Sequence, residues 1–423
     1  MFSLKEEKKN IKIILGITCL VFFMISIFSI IKYGNSTLLG NLSNPDNDDV
    51  KFIRSAWTLV ATGQYIYHNP GISTVFMMPG LPFSLAFFVR IFGKFGGITG
   101  YRVFQAIVQT GSLYLVFLIA RKIFNSRVAV AAVIISALCI ADYWVTNLIL
   151  SESLFKFFVL LLVYFSIYAI EEKSTKYYIF GGIAWALGTY FRPTIATFPI
   201  IILIMWIIMK YSIKEMFKYG TIVVAIFCIM MSPWWIRNYS VFHKFIPLTL
   251  ATGNPMLQGT FINYDQTTKA TDGLDYSQFK YTGKEYDNNK VEMEMSKYRL
   301  KNLVPKQPLK FLEWYTLGKT FYQIRWPFIW TTFLGVPFVL AGLWHYLILI
   351  FGVVGAVMFY KDKNKNILGK IISSMVIYFI VVYLPFYAFE RYFYPAIPFV
   401  IIFAAYGVLN IKDKKSYKVL ERK

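Results

Sequence analysis

The chain has 423 residues, with 44 Lys and Arg against 22 Asp and Glu, a formal net charge of +22 at pH 7. Hydrophobic residues make up 57% and charged residues only 16%, and the mean hydropathy is +0.52; a water-soluble core cannot hide that much apolar surface, so the composition excludes a soluble domain and indicates a membrane protein. The Lys and Arg residues lie in short clusters between apolar runs, the pattern of cytoplasmic loops, which excludes nucleic acid as the partner behind the charge.

The first apolar run, Ile11 to Ile31, is long for a signal peptide and lacks a small-residue cleavage site, so it is expected to remain as a helix. It is followed by "NPDNDDVKFIRSAWTLVATGQY" (residues 44–65), which concentrates Asp46, Asp48 and Asp49 in an otherwise basic chain. Lys51, Arg54, Ser55 and Thr58 fall on one helical face; Phe52, Ile53, Ala56, Trp57, Leu59 and Val60 fill the other. The spacing predicts an amphipathic helix lying on the membrane and ending near Gly63. Asp46 is expected as its N-cap and Asp49 near the third helical position. Capping accounts for one or two acids, not for three beside a bilayer, which leaves an acid or base role for one of them.

Leu81 to Gly93 is a shorter apolar stretch carrying Arg90 and is expected to lie on the surface. Spans of about 20 apolar residues are predicted at 101–121, 127–148, 152–171, 176–191, 194–210, 216–236, 338–360, 367–387 and 391–411. The run 321–337 is interrupted by Arg325, Pro327 and Pro337 and is expected not to span. With the first run, the expected architecture is an all-α polytopic membrane protein of about ten transmembrane helices.

Basic clusters orient it. The N-terminus (Lys5, Lys8, Lys9, Lys12), Arg121–Lys122–Arg127, Lys210–Lys214–Lys218, Lys361–Lys363–Lys365 and the tail (Lys412, Lys414, Lys415, Lys418) are placed in the cytoplasm. Both termini are then inside. Asp46, Asp48, Asp49, Arg102, Glu152, Arg192, Arg237, Glu390, Arg391 and the hydrophilic region 238–320 fall outside.

Arg192 in "YFRPT" and Arg237 in "SPWWIRNY" sit where proline constrains the backbone and aromatics mark the membrane edge; "FERYFYPAIP" repeats the theme with Glu390 and Arg391. Planar, permanently charged Arg at that depth suits a phosphate. Arg90 and Arg325 are read as snorkelling to headgroups. For Glu152 and Glu390, an ion pair holding the fold and contact with a ligand stand as equal readings. His68, His243 and His345 are scattered without metal-ligand spacing, so no dedicated metal site and no cofactor are expected; a transient divalent metal would have to use Asp48 or Asp49 with His68. Cys19, Cys139 and Cys228 lie in apolar runs, and no disulfide is expected. No Gly-rich phosphate loop appears. A carboxylate with several arginines beside aromatic grooves suits transfer from a lipid-linked phosphate leaving group to an acceptor hydroxyl.

These motifs, in order, resemble the GT-C class of integral-membrane glycosyltransferases, in particular the phospholipid carrier-dependent group of the protein O-mannosyltransferases and the lipid A aminoarabinose transferase. The resemblance rests on Asp48-Asp49 ahead of Ala56 and "TGQY" (62–65), "MPGLPFSLAFFVRIFG" (78–93), "YRVFQAIVQT" (101–110) and "LILSESLF" (148–155). It continues through "FRP" (191–193), "SPWWIRNY", "ATGNPMLQGTF" (251–261) and "FERYFYPAIP". It implies a GT-C fold and inverting transfer from a polyprenyl-phosphate sugar, undecaprenyl-linked in a bacterial plasma membrane, on the non-cytoplasmic side. The acceptor would be a lipid, protein or wall polymer. Asp48 takes the place of the general base, and Asp49 would orient it or the acceptor. The second acid is usually Glu, and a Lys that some members carry near 78–80 is absent, so Lys319, Arg192, Arg237 or Arg391, and after them Arg102, would contact the phosphate. The implied division is a GT-C-like catalytic transmembrane module over 1–237 that includes surface helices within 46–93, an extracytoplasmic loop and interfacial segment over 238–337, and C-terminal helices with a basic tail over 338–423. Two other readings stand beside it: a lipid-linked glycan ligase or polymerase, and a transporter or flippase, which would place its charges nearer mid-membrane.

Overall fold

A computed structural model describes residues 2–420, with side chains as far as Ile411. The side chains of Lys412, Lys414, Lys415 and Lys418 lie outside the described residues. Among the described residues the chain is helical, apart from one isolated bridge between Phe333 and Val336.

Helix α1 (Lys9–Tyr33) leads into a loop and then α2 (Asp48–Thr62), which ends as expected at Gly63, in a left-handed conformation (φ 75°). Helix α3 runs Gly80–Ile123 but is broken at Gly93, whose φ of 74° and ψ of 178° suit a residue without a Cβ. The arm before the break folds back on the helix after it: the Phe88 ring lies 5.3 Å from Phe104 and 5.9 Å from Tyr101. The stretch 81–93 is therefore set apart from the helix that follows it by the break at Gly93. Helices α4 (Ser126–Ala137) and α5 (Ile140–Asn147) follow, bent by 57° at their junction, then α6 (Glu152–Glu172), α7 (Thr175–Phe191), α8 (Pro199–Ile208) and α9 (Ile213–Phe242). The region after α9 carries α10 (Gly253–Gly259), α11 (Glu285–Leu303), α12 (Pro308–Glu313) and α13 (Lys319–Ile324). Helices α14 (Phe338–Lys361), α15 (Gly369–Val381), α16 (Glu390–Phe393) and α17 (Ile397–Leu420) complete the chain.

Among the described residues, six helical segments are long and apolar enough to cross a membrane: Lys9–Thr37, Gly80–Ile123, Glu152–Glu172, Ile213–Phe242, Phe338–Lys361 and Glu390–Ile411. The bent α4–α5 pair makes up to seven. The chain is thus a multi-pass membrane protein, but not all of the about ten expected runs form full-length helices. Helix α7 has 17 residues, Arg192 and Pro193 interrupt the chain before α8, and α15 stops at Val381 ahead of Pro385.

The bundle packs α6 against α3 and α7, α7 against α9, and α17 against α4 and α14. The basic loops meet at one end of it. Arg121 pairs with Glu7 at 3.2 Å, Lys122 with Glu171 at 2.6 Å and Lys173 with Glu215 at 2.7 Å, and Asn366 Nδ2 donates to the Lys122 carbonyl at 3.2 Å. Glu152 lies at the other end of α6, roughly 30 Å away at 1.5 Å per residue. The basic loops and Glu152 therefore lie at opposite ends of α6.

Candidate active site

Asn47, extended at φ −121°, caps α2 by accepting the Asp48 N–H at 2.7 Å. The expectation of Asp46 as N-cap is corrected. Its Oδ1 accepts the Asn41 N–H at 3.0 Å, because the preceding loop turns back so tightly that a Cβ on Gly40 would sit 2.6 Å from that oxygen. Asp48 and Asp49 occupy the first turn of α2, about 100° apart around the axis, and so face different surroundings.

Asp48 Oδ1 accepts the Tyr67 hydroxyl at 2.6 Å, and Oδ2 accepts Arg391 Nη1 at 2.9 Å. Arg391 Nε donates to Glu152 Oε1, and Arg192 Nη2 donates to the same oxygen. Arg192 Nε then reaches Ser151 Oγ at 3.1 Å, with its guanidinium 5.2 Å from the Tyr392 ring centre. Four groups of alternating charge thus form one chain drawn from α2, α16, α6 and the α7–α8 junction. Glu152 is fully buried and both arginines nearly so, while the Asp48 side chain keeps 37% of its surface. The chain therefore opens outward at Asp48 alone. Its buried end carries two polar atoms without a partner among the described residues, Glu152 Oε2 and Arg192 Nη1. Burial raises the Asp48 carboxyl pKa, but the Arg391 charge and the hydrogen bonds from Tyr67 and Arg391 outweigh it, and the group titrates below its ordinary value.

Asp49 takes a different role. It is buried, accepts the Leu39 N–H through Oδ2 at 2.6 Å and its neighbour's N–H, that of Val50, through Oδ1 at 2.8 Å. Burial, with the Asp48 charge added, raises its carboxyl above the usual value against those hydrogen bonds.

The other sequence candidates are distributed around this chain rather than in it. Arg102 is buried and binds the Asn147 carbonyl at 2.7 Å and Asn35 Oδ1 at 2.8 Å, tying the loop before α2 to the end of α5. Arg237 donates to the Thr74 carbonyl at 2.7 Å and lies against Tyr65, Trp234 and Phe242. Lys319 is fully buried, donates to the Leu384 carbonyl at 2.6 Å and sits 3.7 Å from the centre of the Tyr315 ring; burial pushes its amine down to about 7. Glu390 pairs with Arg325 at 3.2 Å, which corrects the snorkelling reading of Arg325: a carboxylate within reach holds it at the protein surface.

The polar face of α2 is also less open than expected. Ser55 is fully buried against the Ile66 carbonyl, and Arg54 Nη2 donates to the carbonyls of Tyr67 (2.6 Å) and His68 (2.8 Å). A returning loop, residues 64–68, covers that face. His68 Nδ1 lies 3.7 Å from Glu285 Oε1. Among the described residues, no three His, Cys, Asp or Glu side chains are grouped to hold a metal.

Sequence reasoning missed Tyr67, which "TGQYIYH" did not single out, and a buried cluster of Asp142, Lys156, Gln109 and Tyr394. The signal for that cluster was present: one acid and one base inside two consecutive apolar runs, where an ionisable group needs a partner.

The model of the dolichyl-phosphate-mannose-protein mannosyltransferase family matches residues 77–236, under half of the chain. That range holds Glu152 and Arg192 and excludes Asp48 and Arg391. No curated protein sequence matches significantly. Among solved structures, the archaeal oligosaccharyltransferase AglB from Archaeoglobus fulgidus, in complex with an inhibitory peptide and a dolichol-phosphate, aligns at TM-score 0.53 and 14% identity, over 96% of this chain and 51% of that one. The same organism's oligosaccharyltransferase tethered to an acceptor peptide aligns at 0.53 and 13% identity, over 94% and 50%. ArnT from Cupriavidus metallidurans bound to undecaprenyl phosphate aligns at 0.44 and 10%, over 93% and 77%. The chain spans about half the length of the oligosaccharyltransferases it matches. With that fold over nearly its whole length and the mannosyltransferase family matched across its central helices, the chain has the fold of the GT-C class of membrane glycosyltransferases that its motifs resemble.

Proposed function

We propose that the protein transfers a sugar from a polyprenyl-phosphate carrier, undecaprenyl-linked, to an acceptor hydroxyl on the extracytoplasmic face of a bacterial plasma membrane. The observation that carries this reading is the Asp48–Arg391–Glu152–Arg192 chain, open at its carboxylate and buried at its arginines. Asp48 accepts the acceptor's hydroxyl proton as the oxygen attacks the anomeric carbon. The bond from that carbon to the phosphate oxygen breaks, its electron pair leaves with the polyprenyl phosphate, and configuration inverts in one displacement. Arg391 and Arg192 stabilise the charge that develops on the phosphate. A phosphate leaving group needs no protonation, so one carboxylate suffices where glycosidases use two.

Arg391 has a double part in this scheme. At rest it holds the Asp48 carboxyl below its ordinary pKa. A donor phosphate that draws its guanidinium inward relieves that hold, so Asp48 becomes a stronger base when the donor is seated. Lys319, Arg237 and Arg102 are assigned to the supporting structure, and Asp49 to fixing the loop at Leu39.

The test is direct. Purified protein in detergent or proteoliposomes is given polyprenyl-phosphate sugars, and release of polyprenyl phosphate is followed. Envelope glycans and glycolipids of a deletion strain are compared with the parent by mass spectrometry to identify the product. Absence of release with every such donor, together with unchanged glycans, would refute the assignment.

A further inference from the structure

Beneath the Asp48–Arg391–Glu152–Arg192 chain lies a second polar cluster that the scheme above does not use. Lys156 Nζ pairs with Asp142 Oδ1 at 2.7 Å and donates to the Tyr394 hydroxyl at 2.9 Å. The Tyr394 hydroxyl donates to Asp142 Oδ1 at 2.5 Å and accepts Gln109 Nε2 at 2.9 Å. Gln109 Nε2 also contacts Ser153 Oγ at 3.3 Å. All five residues are buried. Burying an Asp–Lys pair is costly unless its remaining hydrogen bonds are met, and replacement by apolar side chains of similar size is often neutral or stabilising. A purpose other than stability is therefore in question.

Position supplies it. Tyr394 follows Arg391 by three residues, where α16 gives way to α17, so its hydroxyl fixes the turn that aims the arginine. Ser153 follows Glu152 directly, and Lys156 lies one turn further along α6. The cluster thus adjoins both partners of the Arg391–Glu152 pair in sequence, through Tyr394 beside Arg391 and through Ser153 and Lys156 beside Glu152. We infer that Asp142, Lys156, Gln109 and Tyr394 are positioning residues that hold Arg391 in register between Glu152 and Asp48. This rests on the proposed transfer only for its kinetic consequence. The geometric consequence, that loosening the cluster frees Arg391 from Asp48, does not depend on it.

Besides Arg391, the charged or titratable groups facing Asp48 are Tyr67, Lys51 and Asp49, with Tyr392 and Glu152 behind Arg391. Of these, Arg391 is the one the cluster controls, so its release moves the Asp48 titration upward.

The experiment uses Tyr394→Phe, which deletes the shared hydroxyl and keeps the ring, and as a second variant Asp142→Asn with Lys156→Gln, which removes both charges together. The Asp48 carboxylate is titrated by infrared difference spectroscopy in the full-length protein, with Asp48→Asn as the blank. Its midpoint is expected to rise in Tyr394→Phe and in the double variant, at an unchanged thermal unfolding midpoint. In the transfer assay, kcat is expected to fall about 10- to 100-fold, the cost of small misplacement at a reacting centre, with donor KM within about twofold. An unmoved Asp48 titration in a folded variant would overturn the inference. Absence of transfer by the wild-type protein would overturn the proposed function and leave the infrared result to decide the positioning role.

Discussion

Asp48 and Arg391 stand 343 positions apart in the chain and meet at 2.9 Å. One opens the second helix and the other lies just before the last, so the ion pair closes the bundle across its whole sequence. Glu152 meets the same arginine from the middle of the chain.

Replacing Asp48 by Asn keeps the hydrogen bond from Tyr67 and removes the base. Transfer is expected to fall by about 10²–10⁴-fold, the usual worth of a positioned general base. Binding of polyprenyl phosphate, followed by fluorescence or calorimetry, is expected to remain within a few-fold. Wild-type turnover in Asp48→Asn would move the base to another acid.

Arg391→Lys tests geometry rather than charge. A guanidinium serves Asp48 and Glu152 through separate nitrogens, whereas an ammonium is a single point. The expected result is at least a tenfold loss of kcat for Arg391→Lys, and weaker donor binding for Arg192→Ala than for Arg237→Ala. If Arg237→Ala has the larger effect on donor binding, the phosphate sits near Thr74 and not at this chain.

The acid limb of the pH profile has a definite sign. The base works deprotonated, and its pKa lies below the ordinary carboxylate value, so activity is retained above that value and lost as pH falls through the depressed one. A flat kcat/KM from pH 7 down to about 4 is expected. Tyr67→Phe removes one of the groups that lower it while burial persists, and its limb is expected at higher pH. Coincident profiles for the two proteins would rule out the phenol as the controlling contact.

Lys319 gives a stability signature. Burial lowers its folded pKa to about 7, below the ordinary ~10.4 of the unfolded chain, so the unfolded state binds the extra proton between those values. Its contribution to stability therefore rises with pH from about 7 to about 10. Thermal unfolding of the wild-type protein in detergent is expected to show that rise. Lys319→Met is expected to flatten it, and an equal slope in both would show the amine charged in the fold.

Orientation is testable independently of chemistry. In a background without Cys19, Cys139 and Cys228, the variants Asn44→Cys, Lys122→Cys, Lys214→Cys, Ala270→Cys and Lys363→Cys are exposed to an impermeant thiol reagent on intact cells. Labelling is expected at 44 and 270 only. Labelling at 122 or 363 before lysis would place the Asp48 end in the cytoplasm and remove the proposed donor.

Much of this architecture is legible in local sequence. The end of α2 at Gly63 and the grouping of basic loops follow from residues within a few positions of each other, or from charge counts. Arg192 and Arg391 each stand out in a constrained, aromatic setting, and Glu152 as an acid opening an apolar run. What local sequence does not carry is their assembly. Nothing near Glu152 says that two arginines share one of its oxygens, because the partners arrive from positions 40 and 239 residues away. For the same reason Arg102, which heads a helix at the right end, reads as a phosphate contact until Asn147 and Asn35 are found beside it. Tyr67 is one aromatic among many in the sequence, and Asp46 reads as a cap because its competing partner, the Asn41 N–H, is set by a loop turn and not by helix pattern.

The loop between α2 and α3 is held at Thr74 and Val75 by Arg237 of α9, by the Leu250 N–H and by Glu285 in the first turn of α11. Glu285 accepts Thr74 Oγ1 at 2.7 Å and the Val75 N–H at 3.2 Å, and faces His68 at 3.7 Å. That loop also carries Tyr67, the hydrogen-bond donor to Asp48. The α11 contact and the Asp48 contact are thus made by one and the same loop, seven and eight residues apart in sequence. The contact between Thr74 and Glu285, 211 positions apart, therefore ties the segment after α9 to the same short loop that supplies the phenol to Asp48.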